Sequence, residues 1–109
     1  MKKVNAVLLL VGLLLSTGAS AALTTLGVQS CGDWIQERSK SDAIRGDEIW
    51  LVGYMTGVAI GTGKDVLAGT DALSIFLWMD NYCRANPLKD ISRGGIELYF
   101  ELKKQKNIK

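Results

Sequence analysis

The chain of 109 residues contains no histidine. That removes the commonest general base and the commonest metal ligand. It has one proline, Pro87, and one pair of cysteines, Cys31 and Cys83. If that pair is joined, no thiol nucleophile remains, and no serine has an evident base beside it. Nowhere do apolar and polar residues alternate as along a half-buried strand, so the pattern asks for no sheet. The body of the chain also lacks a basic excess. Of thirteen Lys and Arg, Lys2 and Lys3 belong to the first few residues, which leaves eleven bases against eleven acids. A nucleic-acid binder would need a basic stripe. The lysines that do cluster, Lys103, Lys104, Lys106 and Lys109, read as a solvated helix end that complements the helix dipole. These absences leave no catalytic, cofactor-binding or metal-ligating set and no nucleic-acid partner. They point away from an enzyme and toward a binding or structural role.

What is present begins with the first two dozen residues. Lys2 and Lys3 precede an apolar run from Val4 to Leu15, interrupted by Asn5 and Gly12, and Ala19-Ser20-Ala21 follows. A charged start, an apolar centre and a small-x-small site make a secretory signal peptide over residues 1–21. Cleavage after Ala21 would leave 88 residues in an oxidising compartment, the periplasm, with an even cysteine count. A Cys31–Cys83 bridge would close a loop of 52 residues, which the chain-entropy model credits with about 4 kcal/mol. A domain of this size has a barely sufficient core, so the cross-link matters. The longest uncharged stretch of the remainder, Ile49 to Gly63, has 15 residues and four glycines, short of the ~20 that a bilayer crossing needs. No membrane association is expected after cleavage.

Residues 22–29 read as a mobile N-terminal arm, residues 30–106 as a single all-α domain of four helices, and residues 107–109 as a tail. Ser30 caps a first helix over about 31–40, with Trp34 and Ile35 turned inward. A polar loop over 41–46 leads to a second helix from about Asp47 to Gly61, acidic at its start. That helix is apolar nearly all round (Ile49, Trp50, Leu51, Val52, Tyr54, Met55, Val58, Ile60), which places it at the centre of a bundle or against a partner. Gly53, Gly57 and Gly61 recur every fourth residue along it. Each costs about 1 kcal/mol of helix stability, and close packing of a backbone or of a ring such as Trp34 or Trp78 would offset that. Trp50, Gly53, Tyr54 and Gly57 are therefore candidate packing or protein-binding residues. Their partner would be unfolded clients, one dedicated protein, or a second copy in a homodimer.

Thr70 caps a third helix, with Asp71 in its first turn, running to about Asn86. Its inner face carries Ala72, Leu73, Ile75, Phe76, Met79, Tyr82 and Cys83. Asn86-Pro87 ends it and starts a fourth. There Leu88, Ile91, Gly95, Leu98 and Leu102 make an amphipathic stripe, and Gly94-Gly95 weakens or kinks the middle. Gly61-Thr62-Gly63-Lys64 fails as a phosphate loop, because Val58 and Asp65 stand where Gly and Ser or Thr are required and no strand precedes. Asp42, Asp47, Glu48, Asp65 and Asp71 read as caps and solvated surface rather than as a catalytic pair. Asp65 and Asp71 match no EF-hand spacing.

The segment Ser30-Cys31-Gly32-Asp33-Trp34 opens the first helix, and Asp80-Asn81-Tyr82-Cys83-Arg84-Ala85-Asn86-Pro87-Leu88 closes the third. A cysteine at the start of an early helix, with Tyr-Cys-x-x-Asn-Pro at the end of a later one, resembles the HdeA/HdeB group of small periplasmic proteins. The resemblance covers Ser30 to about Leu102. It implies an all-helical fold with one disulfide and the activity of an acid-stress chaperone, a holdase. Only Cys31 and Cys83 carry over, as a structural bridge. The glycine-rich second helix departs from that group. Compartment and build are also similar to the Tai-type immunity proteins, which would make the chain an inhibitor of one dedicated toxin or enzyme. On the chaperone reading, acid protonates the eleven carboxylates and leaves a net charge near +11. Self-repulsion and lost ion pairs then loosen the domain or split an oligomer. Clients would meet the second helix below about pH 4, where unperturbed carboxylates titrate.

Overall fold

The structure, a computed structural model, describes residues 23–40 and 45–109. The expected signal peptide over 1–21 lies outside the described residues, as does most of the 41–46 loop. Four helices follow one another: α1 (Cys31–Arg38), α2 (Gly46–Thr62), α3 (Ala72–Ala85) and α4 (Ile91–Gln105). Among the described residues there is no strand, only one isolated antiparallel bridge between Ser30 and Asp90. The domain is all-α and carries the Cys31–Cys83 disulfide. No helix among the described residues is long and apolar enough to cross a membrane.

The helix starts follow local chemistry. The side chains of Ser30, Asp71 and Asp90 accept from the backbone N–H of Asp33, Ser74 and Arg93, which satisfies donors with no partner inside the helix. At α2, Glu48 reaches back to the Arg45 N–H at 3.1 Å, the second half of a capping box. Gly63, at φ +65°, closes α2 in the left-handed conformation that glycine adopts without strain.

Two boundaries depart from the sequence pattern. Asp71, not Thr70, caps α3. Asn86-Pro87 ends α3 but does not begin α4. Asn86 turns its side-chain amide back to Tyr82 O at 2.9 Å, residues 87–90 form a turn, and α4 starts after Asp90. Leu88, expected on the inner stripe, is fully exposed in that turn.

α3 lies between α1 and α4, and α2 packs chiefly on α4. Trp34, Leu51, Met55, Val66, Met79 and Ile91 are fully buried together with both cysteines. The glycines that matter for this packing are Gly94 and Gly95. A Cβ on Gly94 would stand 2.6 Å from Met79 Sδ and 2.7 Å from Tyr82 Cδ1, and one on Gly95 would stand 2.8 Å from Tyr54 Cε1. The pair expected to weaken α4 is the place where α2 and α3 approach it. The α2 stripe is the reverse. A Cβ on Gly53, Gly57 or Gly61 would meet nothing within 4 Å, and all three are exposed. The expectation that this stripe packs in the interior of a central helix is thereby corrected. α2 is one-sided, with Leu51 and Met55 inward and Ile49 and Ile60 exposed at 64% and 76%.

Candidate functional site: an apolar groove beside a buried ion cluster

The outward side of α2 forms two grooves that share Ile49 and Gly53. One, of about 440 Å³, runs between α2 and the start of α3, lined by Ile49, Val52, Gly53, Thr56, Ala72 and Phe76. No charged side chain enters it. Leu73 and Leu77, neighbours of the α3 wall residues, are exposed at 68% and 60%. The second groove lies between α2, Ile96 of α4 and the N-terminal arm from Leu23 to Leu26. The arm is tied down there: Trp50 Nε1 donates to Leu26 O at 2.8 Å, and Ile91 N donates to Gln29 O at 3.1 Å. Trp50 and Tyr54 stack at 4.9 Å between ring centroids, and burial pushes the Tyr54 hydroxyl up from its usual range. Of the four candidate residues on this helix, Trp50, Gly53 and Tyr54 meet in the second groove. Gly57 lies further along the exposed stripe and lines neither groove.

Beside the first groove is a cluster of ions that the composition did not announce. Arg38, the last residue of α1, donates from Nε to Asp80 Oδ1 at 2.8 Å and from Nη2 to Asp80 Oδ2 at 2.9 Å. Its Nη1 donates to Glu48 Oε1 at 2.6 Å. Trp34 Nε1 donates to the same Asp80 Oδ1 at 2.8 Å. Arg45 reaches Glu48 Oε1 at 3.2 Å and faces Asp47 Oδ1 at 3.4 Å. One guanidinium thus joins α1, α2 and α3. It also lies 5.8 Å from the ring centre of Trp34 and 5.7 Å from that of Phe76.

Burial opposes the negative charge of Asp80, but the bonds from Arg38 and Trp34 outweigh it and hold this carboxyl below its ordinary range. Donating to Asp80 in turn holds the Arg38 proton more firmly. Asp47 and Glu48 had been expected among caps and solvated surface. Both are buried. Asp71, in place of Thr70, caps α3, and its carboxyl is held low by the Ser74 N–H and hydroxyl. The sequence does carry a signal for Asp80. It stands four residues after Phe76 and three before Cys83, on the inner face of α3, and an acid there needs a buried partner. Among the described residues no three metal-ligating side chains converge.

No family model matches the chain, and neither a curated protein nor a solved structure matches it.

Proposed function

We propose that the chain is a small periplasmic binding protein that holds apolar segments of other proteins, as a holdase under acid stress. The observation that carries this is the uncharged groove between α2 and α3, lined by the exposed Ile49, with Leu73 and Leu77 exposed on the same helix as its α3 wall. A solvated helix gains nothing from an aliphatic face and three exposed glycines unless something covers them. The groove takes short aliphatic or aromatic stretches without demanding a charge pattern, as a client-tolerant site must. The cluster beside it supports acid as the condition of use. Asp80 stabilises the fold above its unfolded pKa near 3.9, and that contribution fades as pH falls through its depressed folded value. Acid therefore loosens the helices that wall the groove.

A model client should stay soluble with this protein at pH 2–3, followed by light scattering. Unchanged aggregation there would end the reading. A second reading rests on the groove being open with the carboxylates ionised. A preformed surface suits one dedicated partner, as an immunity or inhibitor protein would use. One stoichiometric complex captured at pH 7, with no client protection in acid, would establish it instead.

A further inference from the structure

We propose that the face built from the N-terminal arm and the outer sides of α2 and α4 docks on the surface of an anionic phospholipid bilayer. This goes beyond the binding reading. The face lies on the α4 side of α2 and meets the α2–α3 groove only at Ile49 and Gly53. No helix among the described residues is long and apolar enough to cross a bilayer. Lying on one asks instead for an apolar patch with a basic rim.

The apolar part is fixed in place and left uncovered. The arm is held through its backbone, at Leu26 O by the Trp50 indole and at Gln29 O by the Ile91 N–H. Its leucines stay outside all the same: Leu23 is 89% and Leu26 80% exposed. Both border the groove of about 790 Å³ that Ile49, Val58 and Ile96 also line, and no charged side chain enters it. Phe100, one turn beyond Ile96 on α4, is exposed as well. Apolar side chains gathered in one patch facing water mark a surface that something covers.

The charges beside the patch say what covers it. Arg93 lines the same depression as Leu23, Val28 and Ile96. Helical residues three and four apart share a side, so Arg93, Ile96, Phe100, Lys103 and Lys104 line up along the outer side of α4. Among the described residues none of these three bases is in an ion pair. The acids of α4 turn toward α3, Glu97 to the Tyr82 hydroxyl and Glu101 to the Trp78 indole. Asp90 also borders the Arg93 depression. Its Oδ1 is taken up at the cap of α4, by the Ser92 hydroxyl at 2.6 Å and the Arg93 N–H at 3.0 Å. Exposed leucines and a phenylalanine rimmed by free bases match acyl chains beneath a layer of lipid phosphate. Leu23, Leu26 and Phe100 enter the headgroup layer, and Arg93, Lys103 and Lys104 meet the phosphates.

Vesicle sedimentation at pH 7 tests the face. The exported protein, its expected leader (residues 1–21) removed, is mixed with vesicles of phosphatidylglycerol and phosphatidylcholine in equal parts, or of phosphatidylcholine alone. Binding to the anionic vesicles that added salt releases, and little to the neutral ones, is expected. Arg93→Gln/Lys103→Gln/Lys104→Gln should weaken it by about a hundredfold, about fivefold for each base. Leu23→Ser/Leu26→Ser should weaken it by about tenfold or more. Circular-dichroism melts check that both variants fold. Should either fail to, the lipid and salt comparison on the wild type decides. No binding to the anionic vesicles, or equal binding to both kinds, overturns the proposal. Binding that both variants retain in full overturns this face as the contact. A dimer at pH 7 in analytical ultracentrifugation that Leu23→Ser/Leu26→Ser dissolves would give the face to a second copy and overturn the bilayer.

Discussion

Asp80 accepts three hydrogen bonds, from Trp34 Nε1, Arg38 Nε and Arg38 Nη2, while 5% of its surface is exposed. Truncating it leaves Arg38 with only Glu48 and leaves the Trp34 N–H without its acceptor. Breaking a buried pair typically costs about 3–5 kcal/mol, and because the Arg38 side chain is partly exposed to water the lower end, about 3 kcal/mol, is expected for Asp80→Ala by urea unfolding. The pH dependence has a definite sign. The wild type should lose stability as pH falls below about 4, since the unfolded chain takes up the proton first. Asp80→Asn should start from a lower plateau and lose less over that window. Equal acid slopes for the two proteins would remove Asp80 from the account. This residue was within reach of sequence reasoning. Its spacing from Phe76 and Cys83 was on view, but with eleven acids against eleven bases the composition did not single it out, and the inner face was read without it. Which arginine would meet it was not readable, because Arg38 comes from a helix 42 residues away in sequence.

At the scale of the helices, four helical segments were legible, and with them the Ser30 cap, which acts on a neighbour within one turn; the caps Asp71 and Asp90 were not, because Thr70 and Asn86-Pro87 offered the same local chemistry just before them. What each glycine does was not. Spacing gave Gly53, Gly57 and Gly61 a common stripe, but spacing does not say which stripe faces inward. Leu51 and Met55 won the core side of α2, and close approach fell to Gly94 and Gly95. Opposite effects follow from the same kind of substitution. Gly57→Ala should raise stability by up to about 1 kcal/mol through helix propensity alone. Gly94→Ala should lower it by about 1–3 kcal/mol through overpacking against Met79 and Tyr82. Thermal melts of the two variants check both signs. A destabilised Gly57→Ala would return that stripe to the interior.

The whole molecule depends on one covalent tie across a small core. Cys83→Ser should destabilise by about 2–5 kcal/mol, the usual cost of removing a native disulfide from a small domain, in urea titrations with and without reductant. Reductant that leaves the wild-type midpoint unmoved would contradict this. The even cysteine count, read with an expected signal peptide, made the bridge legible, and the structure places it where expected, from the start of α1 to the last turn of α3. The open groove was not legible, since an all-round apolar helix reads the same whether a fourth side is covered by this chain or by another. The most direct test of the binding account is a backbone NMR titration of the protein with an unfolded model client at pH 7 and again below pH 4. The account predicts client-dependent shifts concentrated at Ile49, Val52, Gly53, Thr56, Ala72 and Phe76, larger in acid than at pH 7. Shifts confined to the α4 face, or none at either pH, would contradict it.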